Sequence, residues 1–230
     1  MPVKPIPLSV PLHAMLLLDF IGGKEAPSGY ETIFGNRQSR LPVPITRMTY
    51  GDLVEAQANW GNKGWVKANW GFSTASSAAG RFQFMRATLI GIAKDDPSLR
   101  GDAIFDRDLQ DRLGYHLLLR RGYDDFLAGR IDVVQFGKAL AQEWASFPVL
   151  ADCKGAHRSV VRGQSFYVGD GLNKALVSPD RVEAVLGEVL VAARVNQTRP
   201  VIVGSEIAAP STSRWAALTS LLARIFGGRK

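Results

Sequence analysis

Leu16-Leu17-Leu18-Asp19-Phe20-Ile21-Gly22-Gly23-Lys24-Glu25-Ala26-Pro27-Ser28-Gly29-Tyr30 carries an apolar run into a glycine-rich turn, with one acidic residue at the junction. Leu12, Leu16 and Phe20 recur at helical spacing, with Met15 beside them, which predicts a helix over residues 11–22. Gly22-Gly23 predicts its end. A glutamate after two glycines is ordinarily a solvated surface residue. Here the helix before it has its end anchored in a core, and the glycine and tyrosine after it can shape a cleft. A carboxyl at the mouth of an apolar pocket keeps its proton near neutral pH, because desolvation disfavours the charged form. Glu25 is therefore a candidate general acid.

Downstream, residues 26–48 are rich in Gly, Pro, Asn, Arg and Thr, and predict turns with short β-strands near Ile33-Phe34 and Val43–Ile45. Thr49, with Asp52 three residues on, is a capping-box variant that opens a helix to about Ala58. Residues 59–79 hold Trp60, Trp65 and Trp70 at a spacing of five, which fits neither helix nor strand and predicts an ordered loop. These tryptophans either anchor that loop, the more economical reading, or offer ring faces to sugars.

The second informative segment is Ala79-Gly80-Arg81-Phe82-Gln83-Phe84, a small-residue turn opening into a predicted helix over 81–94. In that helix Phe84, Thr88 and Gly91 share one face, and Met85, Leu89 and Ile92 the adjoining one. Asp102 is placed to cap a helix from Ala103 to about Arg121, and Asp132 to cap another. The latter carries an apolar stripe of Val133, Phe136, Leu140, Trp144 and Phe147, stopped by Pro148. Residues 149–179 read as loop, and Pro179-Asp180 starts a helix to about Arg194. The chain thus divides into an extended arm (1–10), a body (11–195), and a linker with a basic amphipathic helix (196–230).

Composition supports a folded body. Of 230 residues, 46% are apolar, enough for a sizeable core. The net charge of +7 favours an anionic partner without choosing among nucleic acid, membrane and cell-wall polymer. No helix carries a clustered Lys/Arg face, so nucleic acid is not the expected partner. Cys153 is the single cysteine, which excludes an internal disulfide and reads as a buried hydrophobe. His13, His116 and His157 lack metal-ligand spacing, and no metal or cofactor is expected. No apolar run approaches the roughly 20 residues that span a bilayer. The first ten residues lack the order of a signal peptide, which predicts synthesis in the cytosol.

The order of helix, Glu25, Gly29-Tyr30, short β region, Gly80-Arg81-Phe82-Gln83 and Trp144-Ala145-Ser146-Phe147-Pro148 resembles the phage lambda-type endolysins and related bacterial muramidases. The resemblance covers roughly residues 12 to 178. In that family the matching segments are Ser-Glu-Gly at a helix end, Gly-Tyr, Gly-Arg-Tyr-Gln and Trp-Ala-Ser-Leu-Pro. The resemblance implies an α+β, lysozyme-like fold, mostly helical, with a small β region beside the active-site cleft. It implies a peptidoglycan-degrading enzyme that cuts the bond from N-acetylmuramic acid to N-acetylglucosamine. Glu25 would be the catalytic carboxyl, and Gln83 would line the sugar site, unless its amide merely bonds to nearby backbone. Phe82, Tyr30 and Tyr167 would contribute to the cleft. The family's Gly-Tyr-Gly segment reads here as Ser165-Phe166-Tyr167-Val168-Gly169 at a longer spacing.

The family's chemistry is lytic transglycosylation, which needs one carboxyl and leaves 1,6-anhydro ends. Hydrolysis would normally need a second carboxylate, for which Glu31, Asp52 and Glu55 are the nearest in sequence. A non-catalytic cell-wall or virion protein of the same fold is the alternative of another class. Arg81 would pair with a carboxylate of the protein or with stem-peptide carboxylates. The implied setting is a monomeric enzyme of phage or bacterial origin, released to the cell wall. The helix within 214–230 would either pack on its own domain or meet an anionic membrane or lipopolysaccharide.

Overall fold

The computed structural model describes residues 5–99, 102–171 and 173–198. The chain divides into a unit of residues 1–196 and a second of 197–230, of which Gln197 and Thr198 are described. The rest of the predicted linker and the C-terminal amphipathic helix lie outside the described residues. Among those residues the fold is α+β, with eight α-helices and one two-stranded antiparallel sheet. The helices are α1 (Leu12–Glu25), α2 (Tyr50–Trp60), α3 (Lys63–Trp70), α4 (Arg86–Asp95), α5 (Arg107–Arg120), α6 (Tyr123–Leu127), α7 (Val133–Glu143) and α8 (Pro179–Thr198). Strands β1 (Cys153–Lys154) and β2 (Ser159–Val160) pair Cys153 with Val160.

Helix α1 is longer than its glycines suggest and is turned differently. It runs through Gly22 and Gly23 and ends on Glu25 itself. Ala14, Leu17, Leu18 and Ile21 face the core, at the i, i+3, i+4, i+7 spacing of one helical face. Leu12 and Leu16, which share the apolar face noted in the sequence, are 73% and 45% exposed. The helix is apolar on several sides, so its pattern alone does not select one. What selects it is α5, which packs against α1. Gly114 of α5 lets both Leu18 and the Phe82 ring approach so closely that a Cβ there would meet them at 3.0–3.1 Å. Gly22 does the same for Arg81, whose Nε would lie 2.4 Å from an added Cβ.

Side-chain caps fix several helix starts. The Thr49 hydroxyl accepts from the Asp52 amide at 3.1 Å, and α2 follows as predicted, ending two residues late at Trp60. Asp132 and Gln135 form a complete capping box at the start of α7. Phe136, Leu140, Trp144 and Phe147 of the predicted stripe are all buried. That helix ends at Glu143, and Trp144 begins a turn that carries the chain to Pro148. Asp106, and not Asp102, caps α5 by accepting from the Leu109 amide at 2.8 Å. The residues ahead of it are extended, with Ile104 bridged to Thr49.

Three expectations are corrected. The segment 30–48 forms three short 3-10 turns, Phe34–Asn36, Gln38–Arg40 and Ile45–Arg47, in place of strands, with only an isolated bridge from Ile33 to Ala79. The sheet lies instead at 153–160. The tryptophan segment contains α3, capped by the Asn62 side chain accepting from the Trp65 amide at 2.9 Å. Trp60 is core, while Trp65 and Trp70 are half-buried and meet edge to face. Finally, 81–85 is a turn, and α4 starts at Arg86.

That turn is held from two sides by buried glutamines. Gln57 of α2 donates to the carbonyls of Ser77 and Phe84 at 2.6 and 2.9 Å. Gln110 of α5 accepts from the Arg81 amide at 2.9 Å and donates to the Tyr30 and Phe105 carbonyls at 3.2 Å each. Gly80 makes room for Gln110 by adopting φ +77°, and an added Cβ would lie 2.4 Å from the amide oxygen. Gln110→Leu leaves one buried donor and two acceptors unpaired, each costing about 1–3 kcal/mol and partly offset by the apolar side chain. A loss of about 2–4 kcal/mol in urea unfolding is expected; a loss below about 0.5 kcal/mol would show that the turn does not depend on this amide.

Candidate active site

Glu25 is the last residue of α1, half-buried. The Ser146 hydroxyl donates to its Oε1. Burial pushes the Glu25 carboxyl above its ordinary range, and the Ser146 hydrogen bond opposes that shift without cancelling it. The helix C-terminus, the negative end of the α1 dipole, also disfavours a carboxylate there. Among the described residues Glu25 takes part in no ion pair that would offset this. The result is a carboxyl that holds its proton to a higher pH than an ordinary glutamate, the direction a general acid requires.

Ser146 is 7% exposed and closely held. It lies in the turn that follows α7. The Trp144 indole donates to the Phe82 carbonyl at 3.3 Å, and the Ser165 hydroxyl donates to the Ala145 carbonyl at 2.8 Å. The Leu176 amide donates to the Ser146 carbonyl at 2.8 Å. Glu25, Ser146, Lys24, Ala145, Asn173, Lys174 and Leu176 line a cavity of about 260 Å³. Sequence reasoning quoted Ser146 only within a motif and left out Asn173 and Lys174. No local pattern marks these three, since long-range closure of the 165–176 loop brings them to Glu25.

The other predicted site residues do not line this cavity. Phe82 is 2% exposed, its ring against Gly114 of α5, so its side chain is part of the core. Gln83 adopts φ +49°, a left-handed conformation that costs a non-glycine residue about 1–2 kcal/mol. Its Nε2 donates to the Gly80 carbonyl at 2.8 Å and the Thr32 carbonyl at 3.4 Å, which is the local-backbone role weighed from sequence.

Tyr30 donates its hydroxyl to Asp111, 3.0 Å from each carboxylate oxygen, and accepts from Arg81. Arg81 also pairs with Asp19 at 2.7 Å and lies over the Tyr30 ring. Its role is therefore pairing within the protein, and the Tyr30 hydroxyl is engaged in the same network. Tyr167 donates to the Gln142 carbonyl at 2.6 Å.

Glu31 is bound by Thr46, through both hydroxyl and amide. Asp52 and Glu55 are exposed on α2. Cys153 packs against the core, while His157 is exposed at the tip of the hairpin. Among the described residues no cluster of three His, Cys, Asp or Glu side chains is placed to hold a metal ion, and no helix is long and apolar enough to cross a membrane.

A raised carboxyl pKa is also a stability statement. Between the ordinary carboxylate value and the raised value, the folded chain holds a proton that the unfolded chain releases. Stability therefore falls as pH rises through that window. Glu25→Gln keeps the acceptor for Ser146 and removes this loss. Thermal unfolding at pH 7 should show the variant at least as stable as wild type, with the difference shrinking below pH 4. A variant markedly less stable at pH 7 would contradict this account of Glu25.

Compared with known proteins, the chain matches no family model, no curated protein and no solved structure.

Proposed function

We propose that this protein cleaves the glycan strand of peptidoglycan by lytic transglycosylation, on a lysozyme-like fold, with Glu25 as general acid and then general base. The observation that carries the reading is the Glu25 carboxyl, desolvated at the end of α1, bonded to Ser146 and opening on a cavity. The resemblance of Gly80-Arg81-Phe82-Gln83 and Trp144-Ala145-Ser146-Phe147-Pro148 to lambda-type endolysin motifs supplies the substrate class.

In this reading protonated Glu25 donates to the oxygen linking N-acetylmuramic acid to N-acetylglucosamine. The C1–O4 bond breaks through an oxocarbenium-like state assisted by the substrate's acetamido group. The carboxylate then takes the proton from the muramic C6 hydroxyl, O6 bonds to C1, and Glu25 regains its starting form. Atoms balance without an added water. Ser146 positions the carboxyl and donates to it while it is charged.

Hydrolysis is the second reading. Glu25 is the one carboxylate among the described residues lining the cavity, and Glu31 is engaged by Thr46, which favours the single-carboxyl route. A lysis role, with the enzyme reaching the periplasm through a separately made pore, completes the proposal.

Mass spectrometry of soluble fragments from purified peptidoglycan tests it. Wild type should release 1,6-anhydromuramic ends, and Glu25→Gln should slow release by at least about a hundredfold. The wild-type rate should fall as pH rises through the raised Glu25 pKa, because the donor form is lost. Reducing ends one water heavier would establish hydrolysis. No fragments from wild type would move the function to the non-catalytic alternative.

A further inference from the structure

Two lysines stand at the cavity that holds Glu25. Lys24 precedes it in the last turn of α1, and Lys174 lines the same cavity from the loop before α8. Among the described residues neither ammonium group takes part in an ion pair. The lysines are also not what shifts Glu25, which responds to burial and to Ser146.

The loop carrying Lys174 is pinned on both sides. Ahead of it, the Asp170 carboxylate accepts from the Asn173 amide at 2.9 Å and from the Asn173 side chain at 2.5 Å. Behind it, the Leu176 amide donates to the Ser146 carbonyl at 2.8 Å. The same serine that positions Glu25 therefore also fixes the backbone two residues after Lys174. Two ammonium groups outside any ion pair among the described residues, one of them on a tethered loop, line a single cavity, an arrangement suited to an anion. Among the described residues the cavity's single carboxyl is Glu25, whose pKa burial raises.

We infer that Lys24 and Lys174 form a clamp that reads a carboxylate on the saccharide beside the bond being cut. The ligand class is an acidic glycan, and neutral polymers of N-acetylglucosamine are discriminated against. The inference rests on the proposed glycan cleavage, and deepens it by assigning specificity to two residues outside the acid–base step. The carboxylate has two sources in peptidoglycan, the lactyl group of the muramic residue and the stem peptide attached to it.

The test is calorimetric binding to the full chain carrying Glu25→Gln, which holds substrate without turning it over. Three ligands of equal length are compared: N-acetylglucosamine oligomers, glycan with unsubstituted lactyl groups, and glycan bearing stem peptides. The acidic ligands should bind more tightly than the neutral one. Adding Lys24→Gln and Lys174→Gln should weaken the acidic ligands about three- to tenfold per lysine and leave the neutral ligand unchanged. Lys24→Arg with Lys174→Arg should restore the preference, and 0.5 M salt should reduce it. A preference for unsubstituted glycan assigns the clamp to the lactyl carboxylate, and a preference confined to the third ligand assigns it to the stem. Equal binding of all three ligands, or binding of none, overturns the inference. So does a uniform loss in the glutamine variants. Wild-type cleavage of peptidoglycan is scored separately: fragments without a charge preference sink the clamp alone, whereas a preference without fragments sinks the transglycosylase reading and leaves the clamp standing.

Discussion

One buried amide, that of Gln110, joins three stretches of chain that are far apart in sequence. It takes a hydrogen bond from Arg81, and gives one to Tyr30 and one to Phe105. Because an unpaired buried polar group is costly, these three partners hold one another in register. Tyr30 closes the turn that leaves Glu25, and Arg81 opens the turn that ends in Gln83. Arg81 in turn lies on Gly22 and pairs with Asp19, so the last two turns of α1 are braced against the same point. The orientation of Glu25 thus depends on a residue of α5 that makes no contact with substrate in the proposed mechanism.

Glu25 joins this frame to a second one. Trp144 bonds to the Phe82 carbonyl, and from there the chain turns to place Ser146 against the carboxyl. Phe82 itself is core, lying between that turn and Gly114 of α5. Its backbone, and not its ring, is what serves the site. The segment 79–84 therefore has a structural reason to be rich in small and aromatic residues. The small residues allow close approach, and the aromatics fill the space between α1, α5 and the turn after α7.

How much of this could be read from sequence depends on how local the determinant is. Thr49 and Asp132 cap their helices through bonds three residues long, and both caps were legible. Asn62 is an equally local cap, but the five-residue tryptophan spacing obscured it. The buried face of α1 was not legible, because apolar residues stand both on the face of Asp19, as Leu12 and Leu16, and on the buried one, as Leu17, Leu18 and Ile21. Contact with α5 decides the matter. Strands expected near Ile33 and Val43 gave way to 3-10 turns, which satisfy their backbone locally where no neighbouring strand exists. In the site, Glu25 could be singled out because it stands at a helix end beside a turn. Ser146, Asn173 and Lys174 reach it only through tertiary closure.

The site opposes the fold's own stability in a specific way. A carboxyl kept from water, at the negative end of a helix and outside any ion pair among the described residues, ionises at a higher pH than an ordinary glutamate. His116 on α5 is subject to the opposite linkage. It is buried, its ring nitrogens have no hydrogen-bond partner, and burial holds its pKa below the ordinary imidazole value. The unfolded chain therefore takes up a proton at His116 sooner than the folded chain does, and stability contributed by this group falls as pH drops through that window. Glu25 withdraws stability as pH rises and His116 withdraws it as pH falls, so the two groups act on the fold in opposite senses. Only the Glu25 term is tied to the proposed chemistry, since removing its charge removes the acid. A tighter ion pair at Glu25 would stabilise the fold and lower the very pKa that makes the residue a proton donor. Placing Lys24 and Lys174 at the rim, and a neutral serine at the carboxyl, resolves that conflict in favour of the acid.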